Sequence, residues 1–188
     1  MSIDVKSHRL AAARWPAIAA ARWPAIAAAV YVSLFCLIAS SALVWDVARG
    51  GAGEDSAVVL LAIVLRLVTI AMAVASVHPR GRIVPSWMLL AGLWGAAAVQ
   101  LAYPIAETVV KGLILTGAME PIDKGISDMS ATGWFNFAAA WAVWGVPGVL
   151  FTLAALSYGR RHPVRRRWVV LGVLGGAALL AGLGILIG

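Results

Sequence analysis

Two acidic residues, Asp46 and Glu107, lie close to the ends of long apolar segments. A carboxyl group in such a position can exchange a proton with a substrate that is dissolved in the membrane. Both residues fall on the same side of the apolar segments when the chain is read as a series of membrane crossings. They are therefore the candidates for a catalytic acid, and a lipid or an isoprenoid is the substrate class that they would serve.

Arg66 lies near the centre of another apolar run, where an arginine without a partner is costly in a membrane. When residues are counted along helices, Ser40 and Gln100 lie about one turn nearer the outer surface, within reach of an extended guanidinium. Asn136 lies further out. This set predicts a polar cleft that opens outward, with Arg66 as a ligand or ion contact. The alternative is that Arg66 bonds to a polar neighbour and only fixes helix packing.

Aromatic residues recur at helical spacing in the fourth apolar segment, at Phe137, Trp141, Trp144 and Phe151. With Trp141 and Trp144 as its walls, such a stripe can line a pocket for an apolar ligand. It is also typical of ordinary core or of a lipid-facing surface. Pro147 lies between two glycines and predicts a kink in this segment.

The composition shows which elements must position these residues. Of 188 residues, 62% are hydrophobic and 12% are charged, and the mean hydropathy is +0.92. A soluble domain is about half apolar and a quarter charged. Apolar runs long enough to cross a bilayer occur at 24–45, 57–77, 87–106, 134–158 and 168–187. We therefore predict an all-α integral membrane protein in which residues 24–188 form one domain of about five transmembrane helices.

The basic residues are distributed unequally between the two sets of connections. Eleven lysines and arginines precede the first run or lie in the connections after the second and fourth runs, and the opposite side holds Arg49, Lys111 and Lys124. Because lysine and arginine accumulate in cytoplasmic loops, the N-terminus is predicted inside and the C-terminus outside. The net charge of +7 therefore reflects orientation, and no nucleic-acid partner is expected. An excess of arginine over lysine favours a bacterial source, and hence the inner (plasma) membrane.

Residues 1–23 precede the first run and are predicted to form a cytoplasmic interfacial segment. An octapeptide at 13–20 is repeated at 21–28, which we interpret as a small tandem duplication. Pro24, in the second copy, is well suited to the start of the first transmembrane helix.

The longest connection, residues 104–133, lies on the outer side. Pro104 predicts a break in the third helix. Residues 105–119 are mostly apolar with a polar face, and they predict a separate helix that is either interfacial or re-entrant. Residues 120–132 are rich in turn-forming and acidic residues and predict an exposed loop.

Gly172, Gly176 and Gly184 lie on a small-residue face of the last run. Small residues at this spacing let two helix backbones approach closely, either within the chain or between subunits. Other membrane helices and membrane lipids are therefore the predicted partners.

No phosphate-binding loop, zinc-protease helix, nucleophile elbow or paired-cysteine motif occurs in the sequence, and Cys36 is the single cysteine. No metal or cofactor is predicted. We expect a non-catalytic or accessory subunit of a larger membrane assembly. The alternatives are an enzyme that acts on a lipid or isoprenoid, with Asp46 or Glu107 as its acid, and a small transporter with Arg66 in its pathway.

Overall fold

A computed structural model describes residues 4–51, 54–122 and 124–187, with the side chains of 22–51, 57–122, 124–183 and 185. The chain is 86% helical, and no strand occurs among the residues described. This confirms the all-helical class. The helices are α1 (Asp4–Ala48), α2 (Glu54–Val77), α3 (Ser86–Leu115), α4 (Ala131–Ala140), α5 (Val146–Arg161) and α6 (Arg167–Ile187). A π-helical segment, Trp141–Gly145, joins α4 to α5, and short 3-10 turns lie at Pro79–Ile83 and Gly125–Ser127.

Four helical stretches in the described part of the chain are long and apolar enough to cross a membrane: Arg22–Ala48, Ala57–Val77, Ser86–Leu115 and Ala131–Arg161. They coincide closely with the first four apolar runs predicted from the sequence. The stretch Arg167–Leu183 of α6 is also apolar but shorter.

The first helix begins well before the predicted position. It runs continuously from Asp4, so Pro24 lies inside the helix and does not start it. Alanine, the strongest helix former, surrounds the proline on both sides and favours continuation. At about 1.5 Å per residue, the 45 residues of α1 extend about 67 Å, roughly twice the thickness of a hydrocarbon core.

The predicted helix break at Pro104 is wrong, and so is the separate helix over 105–119. Helix α3 continues through the proline to Leu115. The hydroxyl of Thr108 donates a hydrogen bond of 2.6 Å to the carbonyl of Pro104. The helix stops one turn before the predicted end because Gly117 adopts a φ of +74°, the left-handed conformation that terminates helices.

Helix α3 lies at the centre of the packing. It contacts α5 on one side and α6 on the other, and α1 packs against both α2 and α5. The core between α1, α3 and α5 contains Val32, Leu93 and Phe151, each with a fully enclosed side chain. Helices α2 and α6 therefore lie at the two edges of the arrangement.

The small-residue face of α6 packs against α3 within the same chain. A Cβ atom added to Gly176 would lie 2.6 Å from the carbonyl oxygen of Gly95, and one added to Gly172 would collide with the backbone of Ala91. Trp87 and Trp168 stack at the beginning of the two helices, with ring centroids 4.3 Å apart. Close contact at Gly172 and Gly176 is thus made inside the chain, while the surroundings of Gly184 lie outside the described side chains.

Replacing Gly176 with Leu should lower the free energy of unfolding by about 3 kcal/mol, because a side chain there must push two backbones apart. Reversible unfolding in mixed detergent micelles measures the change. Gly175→Leu is the matched control, since a Cβ atom at Gly175 meets nothing within 4 Å. Equal stabilities of the two variants would show that α3 and α6 are not in close contact.

Candidate functional site

The connection between α4 and α5 is a π-helical turn. The backbone N–H of Val146 donates to the carbonyl of Trp141, five residues earlier, where an α-helix would pair residues four apart. Pro147 follows directly and has no N–H to donate. The sequence predicted a kink at this proline, and the structure places a change of helical hydrogen bonding immediately before it.

This turn leaves one carbonyl group without a partner in its own helix. The carbonyl of Ala142 would be paired with Val146 in an α-helix and with residue 147 in a π-helix, but the first N–H is used elsewhere and the second is missing. The hydroxyl of Tyr31 on α1 donates a hydrogen bond of 2.8 Å to this oxygen. A hydrogen bond between helices therefore compensates for the proline.

The π turn also directs two tryptophans to different neighbours. In a regular α-helix, residues three apart lie only about 60° from each other around the axis. Here the indole N–H of Trp141 donates to the hydroxyl of Thr108 on α3, at 3.1 Å. The ring of Trp144 lies beneath the guanidinium of Arg66 on α2, 4.3 Å from the Cζ atom. The aromatic stripe predicted as a pocket wall is thus distributed over separate contacts.

A buried ion pair lies near the end of α3. Glu107 is 1% exposed and Lys111 is 2% exposed, and the Lys111 Nζ atom lies 3.7 Å from Glu107 Oε1. The ammonium also donates a hydrogen bond to the carbonyl of Asp128. It faces the rings of Trp134 and Phe137, at 5.2 and 6.0 Å from their centroids. A cation removed from water to this degree needs every one of these contacts.

The loop residue Asp128 connects this pair to the start of α4. Its Oδ1 atom accepts a hydrogen bond of 2.8 Å from the backbone N–H of Ser130, and this bond lowers the pKa of the Asp128 carboxyl group. The hydroxyl of Ser130 in turn accepts from the N–H of Gly133 and caps α4. Lys111 therefore fastens the loop after α3 to the beginning of α4.

The same face of α3 carries two further polar groups that lack partners. Gln100 is 5% exposed, and neither its amide nitrogen nor its amide oxygen forms a hydrogen bond within the described part of the chain. The Oε2 atom of Glu107 is likewise buried without a hydrogen bond. The two residues are two helical turns apart, about 10 Å along the axis. Arg66 therefore forms no hydrogen bond with Gln100, which is one of the polar residues that the sequence places within its reach.

Arg66 lies in the middle of α2 and is partly buried. Its Cζ atom lies over the ring of Trp144, 4.3 Å from the ring centroid, and the ring of Phe35 on α1 lies further away, at 6.0 Å. Among the residues with described side chains, no acid forms an ion pair with it and no group bonds to its N–H atoms. The described residues thus give this cation contact with aromatic rings but neither a hydrogen bond nor an ion pair.

The remaining predicted site residues lie apart from these two charges. Asp46 is exposed at the end of α1, Asn136 is exposed on α4, and Ser40 is partly buried in α1. No described hydrogen bond or ion pair joins them to Arg66 or Glu107. The structure therefore supplies two separated charged sites where the sequence predicted one continuous cleft.

Sequence reasoning missed two of the residues that matter most here. Lys111 was counted as an outer basic residue, although a glutamate four residues before a lysine in an apolar helix indicates a paired site. Tyr31 was not selected, and no local pattern points to it, because its partner lies 111 residues away.

Tyr31→Phe should lower the free energy of unfolding by about 1 kcal/mol, because it leaves the Ala142 carbonyl unpaired in a helix interior. In a Pro147→Ala background the loss should be smaller, since residue 147 then supplies its own N–H. The free energies of unfolding of the wild type, the two single variants and the double variant give the coupling energy between Tyr31 and Pro147. The same loss in both backgrounds would show that Tyr31 does not compensate for the proline.

No group of three or more His, Cys, Asp and Glu side chains that could hold a metal ion occurs among those described. Comparison with protein-family models, with curated proteins and with solved structures found no match. The function must therefore be inferred from the geometry of the charged sites and from the surfaces around them.

Proposed function

We propose that this chain is a five-pass protein of the inner membrane that serves as a non-catalytic or accessory subunit of a larger membrane assembly. The fifth crossing is α6, whose 21 residues extend about 31 Å. The N-terminus lies in the cytoplasm and the C-terminus outside. Lysine and arginine are in excess before the first apolar run and in the connections α2–α3 and α5–α6, and this excess supports the orientation.

The observation that carries the proposal is the incomplete cover of α2. In an 18-residue apolar part of this helix, 11% of the residues are buried, against 22% in α1 and 39% in both α3 and the stretch Ala131–Arg161. Yet α2 holds Arg66 at its centre. An edge helix with an intramembrane cation is suited to contact with another protein. Lipid hydrocarbon can cover apolar side chains, but it cannot stabilise a charged one.

The geometry gives less support to the enzyme and transporter alternatives. Glu107 is enclosed and pairs with Lys111, so it does not face a substrate from outside. Trp141 and Trp144, the expected pocket walls, are engaged by Thr108 and Arg66. Glu107, Trp141 and Trp144 therefore stabilise the contacts between helices, and they are not available to line a substrate site.

A photo-crosslinking amino acid at Leu67 tests the proposal. Leu67 is 52% exposed on α2, and Leu153, 40% exposed on α5, is the matched control. In native membranes we expect a discrete adduct with another polypeptide from position 67, and mainly lipid adducts from position 153. If Leu67 and its neighbours along α2 crosslink only to lipid, the chain does not use this helix in an assembly and the proposal fails.

A further inference from the structure

The central position of Arg66 determines what can neutralise it. Arg66 lies twelve residues from the first residue of α2 and eleven from the last, which is about 18 and 16 Å along the helix axis. These distances exceed what a side chain can cover by extending toward a membrane surface. A partner for the guanidinium must therefore be located within the membrane, at the depth of Arg66 itself.

The contacts among the described residues leave the N–H donors of Arg66 unused. The Cζ atom of Arg66 lies over the ring of Trp144, 4.3 Å from the ring centroid. An arginine carries five N–H donors in a planar fork that matches the two oxygens of a carboxylate. The aromatic ring therefore attracts the cation, while its donors stay ready to bind a carboxylate through two parallel hydrogen bonds.

The described part of the chain offers no acid to Arg66. In the sequence, every acidic residue except Glu107 lies outside the apolar stretches or within two residues of their ends. Glu107 lies inside Ser86–Leu115, but its side chain is enclosed and pairs with Lys111. A second copy of the chain in the same orientation has the same distribution and cannot supply the missing charge. Lipid phosphates lie at the membrane surfaces and not at its centre.

We propose that the Arg66 face of α2 binds a transmembrane helix of a different protein, which carries an aspartate or glutamate near its centre. The carboxylate accepts two hydrogen bonds from the guanidinium that contacts Trp144. This inference rests on the proposed function, because it specifies the chemistry by which the assembly would recognise this subunit. Arg66 is then the residue that selects the partner, and the apolar side chains around it supply contact area.

A model peptide provides the test. The purified chain is reconstituted in phosphatidylcholine vesicles with a polyleucine transmembrane peptide that has one central Glu, and binding is measured by energy transfer. The same peptide with a central Gln in place of Glu is the uncharged comparison, because glutamine can still accept a hydrogen bond from Arg66. Arg66→Leu removes the cation, and Arg49→Leu is the matched control, because Arg49 also lies 4.3 Å from a tryptophan ring centroid but at the end of α1.

The wild-type chain and Arg49→Leu should bind the Glu peptide about ten-fold more tightly than the Gln peptide, and Arg66→Leu should bind both equally. Equal binding of the two peptides by the wild type overturns the inference. Energy transfer between copies of the chain that depends on Arg66 also overturns it, in favour of a homomeric contact. So does Arg66-dependent binding of anionic phosphatidylglycerol.

Crosslinking from Leu67 separates this inference from the proposed function. If the wild-type chain shows no preference for the Glu peptide while protein adducts from Leu67 persist in Arg66→Leu, the subunit proposal stands and the carboxylate inference fails. If the wild-type chain forms no protein adduct from Leu67 in native membranes, the proposed function fails whatever the peptides show.

Discussion

The structure depends on one constraint, which is that removing a polar group from water costs free energy unless the group finds a partner. Pro147 shows the constraint most clearly. It deprives its helix of one N–H, the helix responds with a π turn, and the carbonyl left over accepts a hydrogen bond from Tyr31 on another helix. A single missing donor thus leads to a hydrogen bond that connects α1 to the π-helical segment between α4 and α5.

The same constraint organises the C-terminal end of α3. Lys111 is buried because Glu107, the Asp128 carbonyl and two aromatic rings together replace water around its ammonium group. Those contacts hold the loop in position and set where α4 begins. The π turn that follows then directs Trp144 to Arg66. One charge is consequently enclosed by the fold, and the other contacts an aromatic ring but has no ion-pair partner among the described residues.

The sequence was sufficient to predict the features that depend on composition and on residue spacing. The all-helical class and the first four apolar stretches follow from hydropathy alone, and Arg66 is conspicuous at the centre of its helix. The errors concern prolines. Local rules predicted a helix start at Pro24 and a break at Pro104, yet both helices continue, because one lost hydrogen bond costs less than exposing several backbone groups. The Tyr31 contact could not be predicted, since it depends on which helices are neighbours.

The described residues satisfy the charge of Lys111 and do not satisfy that of Arg66. The most direct measurement is the free energy of unfolding of the isolated chain in detergent, with Lys111→Met and Arg66→Leu compared side by side. Lys111→Met should lower it by about 3 kcal/mol, because Glu107 is left buried without its partner. Arg66→Leu should change it by less than about 1 kcal/mol or raise it. A loss on Arg66→Leu as large as that on Lys111→Met would contradict the account.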